Sequence, residues 1–210
     1  MKNRLLIFII SAVASVGFSK DFYGYGEINS VLQDGDLIFH KSQSPQSKAI
    51  FEATGSEWSH VGILVKNKNT WYVVEARNGI ETTGLQTFIN RGKNKEFKIL
   101  RSPDYKDSTM RTRLHNTLRT YRGKKYDIYF EFNNSKIYCS ELTYKVMKTV
   151  TGKEIGTVNK MKELRLDGPY VKELIKRRLT DLGKELNPNE PIITPVSQLY
   201  DFSLDLVAEN

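Results

Sequence analysis

One cysteine in 210 residues, Cys139, leaves no partner for an internal disulfide. Three histidines and that one thiol fall at none of the spacings that hold zinc, so no metal site is expected. Beyond residue 16 no apolar run is long enough to span a bilayer. No repeat of roughly 20–50 residues recurs, and no stretch is low in complexity. The formal charge is +8, yet bases and acids alternate everywhere except in "KRR" at 176–178. A nucleic-acid binder would carry a stripe of bases interleaved with aromatics, so nucleic acid is excluded as a partner. A scattered basic surface does suit association with anionic cell-wall polymers or lipid headgroups.

The N-terminus is different. In "MKNRLLIFIISAVASVGFSK", Lys2 and Arg4 precede an apolar run from Leu5 to Val16, and small residues follow. That is the pattern of a secretory signal over residues 1–19, with cleavage before Lys20 or earlier, after Ala12 or Ala14. No cysteine follows the run, so a lipoprotein anchor is not indicated. Export to the periplasm or cell envelope is expected, with residues 20–210 forming one domain with a C-terminal helical extension. An oxidising compartment disfavours a lone thiol without a use, which directs attention to Cys139.

"DGDLIFHK" (34–41), "HVGILVK" (60–66), "TWYVVEA" (70–76) and "EFKILRS" (96–102) read as strands, rich in β-branched and aromatic residues and bounded by turn signals. "SPQSKAIFEATG" places Pro45 near a helix start and Gly55 near its end. In "DSTMRTRLHNTLRTYRG" the spacing of Met110, Leu114, Leu118 and Tyr121 predicts a helix capped by Asp107 or Ser108. From Cys139, positions 139, 142, 143, 146, 147 and 150 share one helical face, and Gly152 supplies the stop. "DGPYVKELIKRRLTDLGK" is a further amphipathic helix with Pro169 in its first turn, and "NPNEPIITPVSQLYDF" is a proline-punctuated return to the body in which Thr194-Pro195 starts a last short turn.

Chemistry enters where two of these strands meet. If they form a hairpin centred between Asn67 and Lys68, residue 66 faces 69 and His60 faces Glu75 on one side of the sheet. A two- or four-residue loop preserves this; a three-residue loop moves Glu75 to the opposite face. Paired so, Glu75 fixes one imidazole nitrogen of His60 and leaves the other free to take a proton. Cys139 stands at a helix start, where unpaired N–H groups and partial positive charge favour a thiolate and can hold an oxyanion. His40, at a strand end, and His115, on a helix, are the competing bases.

The ordered set "GDLIF", "WSHVGILV", "YVVEA", "GKKYD" and "YCSEL", over roughly residues 32–150, resembles the YaeF/YiiX-type permuted papain-like amidases, circularly permuted relatives of the NlpC-type cell-wall peptidases. The "TPVSQLYD" tail is also similar to family C-termini. The resemblance implies an α+β fold, a small antiparallel sheet packed against helices, with His before Cys in chain order. It implies Cys139 as nucleophile, His60 as base, Glu75 as the third polar residue, and no cofactor. Tyr126 in "GKKYD" resembles the family tyrosine near the nucleophile and, with Tyr138 in "YCSEL", is a candidate for substrate binding. Asp36 in "GDLIF" matches a family motif, but a role in its turn suits it better. The activity expected is hydrolysis of a small amide, an N-acyl amino acid or a cell-wall peptide. The alternatives are a lipid acyltransferase or lipase using the same residues, and a catalytically silent module that binds peptides or wall fragments.

Overall fold

The computed structural model describes residues 25–180 and 183–210, so the expected signal at 1–19 lies outside the described residues. Helix α1 (Tyr25–Val31) leads through a turn at Asp34–Gly35 into strand β1 (Leu37–Ser42). Asp36 holds that turn: its carboxylate accepts the Gln33 N–H at 2.8 Å and both Nε and Nη2 of Arg101 at 2.7 Å. A left-handed backbone at Gly35 (φ 91°) completes it, with the Tyr105 ring so close that a β-carbon would lie 2.7 Å from it. Asp36 is thus a structural residue of the turn.

Helix α2 (Ser47–Thr54) follows Pro45 and ends at Gly55 in the left-handed conformation, as its sequence requires. Strands β2 (His60–Asn67) and β3 (Thr70–Ala76) form the hairpin, and β4 (Ile80–Gly84) extends it. Helix α3 (Leu85–Arg91) then crosses to strand β5 (Gly92–Arg101), which begins at Gly92 rather than at Glu96. Helix α4 (Ser108–Thr120) is capped by Asp107, whose carboxylate accepts the Met110 N–H at 2.9 Å. The two-residue strands β6 (Lys125–Tyr126) and β7 (Lys136–Ile137) pair in parallel just before α5 (Cys139–Thr151), which ends at Gly152. Strand β8 (Asn159–Lys160), helix α6 (Pro169–Thr180), strand β9 (Pro191–Ile192), helix α7 (Pro195–Leu199) and strand β10 (Asp205–Glu209) complete the chain. Among the described residues no helix is long and apolar enough to cross a membrane.

The main sheet has six strands in the order β10-β5-β1-β2-β3-β4, with every pairing antiparallel. Helices cover both faces, which explains why β2 reads as a continuous apolar run rather than an alternating one. Val61, Ile63, Val65 and Val74 pack with Leu142, Val146, Met147 and Val150 of α5 and with Leu114 and Leu118 of α4. The other face carries Leu64, Trp71 and Val73 against Leu85, Phe88 and Ile89 of α3 and Ile28 of α1. Cys139 belongs to the first of these clusters, so the fold brings the start of α5 against the His60 end of β2. The C-terminal segment locks that helix start. Gln198, fully buried, accepts from Thr143 Oγ1 at 2.8 Å and donates to the Ser140 carbonyl at 3.2 Å, while Ser140 Oγ donates to the Ile193 carbonyl at 2.9 Å.

Candidate active site

His60 opens β2 and lies opposite His40 of β1. The hairpin register differs from the expected one by two residues. The left-handed position falls on Lys68 (φ 53°), so the turn is Lys68–Asn69 and Asn67 pairs with Thr70. Counting back, Ile63 pairs with Val74 and Glu75 stands beside Gly62, diagonal to His60 instead of directly across from it. A shift of two keeps both side chains on one face, so they still meet. His60 Nε2 and Glu75 Oε2 are 2.6 Å apart. Gly62 leaves the room: a β-carbon there would lie 2.3 Å from Val73 Cγ1 and 3.4 Å from Glu75 Cβ.

Glu75 is fully buried and has three partners. Besides His60, Thr83 Oγ1 donates to Oε1 at 2.5 Å, and Arg91 Nη2 lies 2.6 Å from Oε1 and 2.7 Å from Oε2. Burial opposes the carboxylate most strongly, but the bonds and charge of His60 and the bonds of Arg91 and Thr83 outweigh it, holding the group down at about 2. The carboxylate therefore stays ionised and fixed in place.

Cys139 is the first residue of α5, behind Tyr138 as its cap residue. The Tyr138 N–H is taken by the Glu141 carboxylate at 3.3 Å, and the next amides of the first turn have no intrahelical acceptor. Burial alone would push this thiol up. The His60 hydrogen bond and charge, with the amide hydrogen bonds of Val61 and Ser140, outweigh burial and bring it below its ordinary value. For His60, burial likewise opposes the charged ring most. Hydrogen bonds to Cys139 and Glu75 reverse that and lift it to about 9. With Nε2 on Glu75, Nδ1 is the nitrogen left for the thiol, and both shifts run toward the charged forms of Cys139 and His60, with a buried carboxylate behind the ring.

The other histidines are placed differently. The His40 ring lies 5.1 Å from that of His60 and 4.5 Å from that of Phe88, with Nδ1 buried and unpartnered. Burial first, then the charges of His60 and Arg91, depress it to about 2, so it remains neutral packing. His115 lies 3.3 Å from Asp34, which also takes the Lys66 N–H at the far end of β2. Phe88 stacks at 5.6 Å on the His60 ring and fixes its plane.

Both candidate tyrosines line an apolar cavity of about 100 Å³ that has Cys139 in its wall. The Tyr138 hydroxyl accepts the Ile193 N–H at 3.1 Å and its ring meets Phe130 edge-on, so it builds the wall and ties down the C-terminal return. Tyr126 accepts from Gln46 Nε2 at 3.0 Å, which leaves its own proton free to donate. Burial, then the nearby Cys139 charge, pushes that phenol above its ordinary value and keeps it protonated. The orientation of Gln46 follows from its other partner, Arg178 Nη2, which can only donate and lies 2.7 Å from Oε1.

Thr83, Phe88, Arg91, Gln46 and Arg178 are site residues that the sequence reading missed. One signal was present: an acid inside an apolar strand needs a buried counter-charge, and Arg91 is the base in the last turn of the helix between β4 and β5.

The family described as permuted papain-like amidase enzyme, YaeF/YiiX, C92 family, matches residues 31–198, which include every residue of this site. The uncharacterized protein YiiX of Escherichia coli (strain K12) is 33% identical over 196 residues, covering 93% of this chain and 90% of that protein. A crystal structure titled metalloprotein yiiX, from Escherichia coli O157:H7, superposes with a TM-score of 0.79 at 34% identity, covering 85% of this chain and 97% of the other. Among the described residues of this chain no three His, Cys, Asp or Glu side chains come together as a metal site.

Proposed function

The chain belongs to the YaeF/YiiX permuted papain-like amidases of the C92 family, a family of cysteine amidases and peptidases, and from that premise we propose that it hydrolyses the amide bond of small N-acyl amino acids through Cys139, His60 and Glu75. The observation that carries this reading is a thiol in the wall of an apolar cavity beside an imidazole that lines the adjoining polar cleft, with a fixed carboxylate behind the imidazole.

The Cys139 thiolate adds to the carbonyl carbon, and the oxygen takes the negative charge. We assign first-turn amides of α5 and the free Tyr126 proton as the donors to that charge. Collapse breaks the C–N bond while the His60 imidazolium gives its proton to the leaving nitrogen, so the amine departs and a thioester remains. Neutral His60 then takes a proton from water as the water oxygen adds to the thioester. The C–S bond breaks, the acid leaves, and the thiolate–imidazolium pair is restored. Glu75 stabilises the imidazolium and holds the ring, without itself taking a proton.

The cavity favours acyl substrates over wall peptides. Ala49, Ile50, Met161, Val171, Leu174 and Ile192 are among its walls, which offer a peptide backbone few polar partners. The same walls favour the lipid reading, which the test must separate. Incubating wild type and Cys139→Ala with N-acyl amino acids, muropeptides and phospholipids, with products identified by mass spectrometry, should give cysteine-dependent fatty acid and amino acid from the first pool. Cysteine-dependent release from phospholipids alone would replace the amidase with a lipase or acyltransferase.

A further inference from the structure

Beside the apolar cavity lies a polar cleft of about 550 Å³. The two share Ser59, Tyr126, Ile128, Leu174 and Arg178, but Cys139 lines only the cavity and His60 only the cleft. Four arginines line the cleft and no acid does. Two of them are neutralised: Arg91 by Glu75, and Arg77 by Glu81 at 3.7 Å. Among the described residues, Arg177 and Arg178 have no carboxylate within ion-pair distance.

Arg178 is the more constrained of the two. Its Nη2 donates to Gln46, its guanidinium lies 5.1 Å from the Phe130 ring centre, and its Nη1 is buried with no hydrogen-bond partner. Burial, aided by the charge of Arg177, pushes the group below its ordinary value against the opposing charge of Asp127, which lies beyond ion-pair distance. A buried donor left unmade is costly, and a guanidinium fork is shaped for a carboxylate.

The reaction fixes which part of a substrate meets this cation. If the carbonyl carbon is at Cys139 and the acyl chain in the cavity, the leaving nitrogen faces His60 and its substituent enters the cleft. Resting on the amidase reading above, we propose that Arg178 is the specificity residue of the site and selects substrates whose leaving amine carries a carboxylate.

The test compares three substrates with one acyl chain: N-lauroylglycine, neutral N-lauroylethanolamine and N-lauroyl-aminomethylphosphonate. In wild type, kcat/KM for the glycine conjugate should exceed that for the ethanolamine by about 10–100-fold, the range of one charge-assisted hydrogen-bonded pair. Arg178→Gln should bring that ratio near one, and Arg178→Lys should keep part of it. Reading a ratio separates charge recognition from any general effect passed through Gln46 to Tyr126. Calorimetric binding of the same ligands to Cys139→Ala, with and without Arg178→Gln, gives the same comparison without turnover. A wild-type ratio near one, or an unchanged ratio in Arg178→Gln, would overturn the proposal while leaving the amidase standing. A preference for the phosphonate would overturn the carboxylate in favour of a phosphate-bearing headgroup. Arg178-dependent binding of N-lauroylglycine without any cysteine-dependent hydrolysis would support the selectivity and remove the amidase.

Discussion

His60→Ala should lower kcat/KM on an N-acyl amino acid by about 10³–10⁴-fold, the share of an acid–base group that serves both steps. Two further results should accompany that loss. Iodoacetamide labelling of Cys139 at neutral pH should slow, because the imidazolium that holds the thiol as thiolate is gone. The alkaline limb of the wild-type pH profile should also disappear. His60 is raised to about 9, so its proton is present below that pH and lost above it, and wild-type activity should fall as pH rises through about 9. His115→Ala, at the other end of β2, should stay within about twofold of wild type. Equal losses from both variants would mean that His60 acts only through folding.

Glu75→Gln should cost about 10²–10⁴-fold in kcat while keeping the side-chain shape. The amide cannot stabilise an imidazolium, and it leaves Arg91 facing a neutral group. The alkaline limb should therefore move to lower pH, because Glu75 is one of the groups that lift His60. Stability should respond to acid as well. Glu75 is depressed from 4.5 to about 2 in the fold, so its contribution is complete above pH 4.5 and lost as pH falls toward 2. The variant should lack that part of the acid transition. Glu81→Gln is the contrast, since Glu81 pairs with Glu75 across β3 and β4 but bonds the exposed Asn78. Similar small effects from the two substitutions would remove Glu75 from the mechanism.

Much of the site was legible because its residues sit on regular elements. The helical spacing from Cys139 to Val150 placed the thiol at a helix start facing the core, and Gly152 marked the end. The hairpin put His60 and Glu75 on one face even though its register was off by two, because side-chain direction depends only on parity. What stayed hidden lies in segments that tertiary packing decides. Between residues 80 and 95, β4 and α3 bring Thr83 and Arg91 to Glu75, and neither spacing nor composition sets the path between them. Gln46, the cap residue before α2, and Arg178 of α6 are far apart in sequence and meet only because α2 and α6 pack together through Ala49, Val171 and Leu174. Asp36 was legible as a turn residue, but its clamp by Arg101 depends on pairing between β1 and β5.

A covalent route through Cys139 leaves a mass on the protein. Wild type quenched in acid during turnover of an N-acyl amino acid and weighed intact should carry one acyl group. Peptide mapping should locate it on Cys139, and hydroxylamine should discharge it as expected of a thioester. Cys139→Ala should show neither adduct nor product. Product formed with no acyl group on Cys139, and formed equally by Cys139→Ala, would contradict the account.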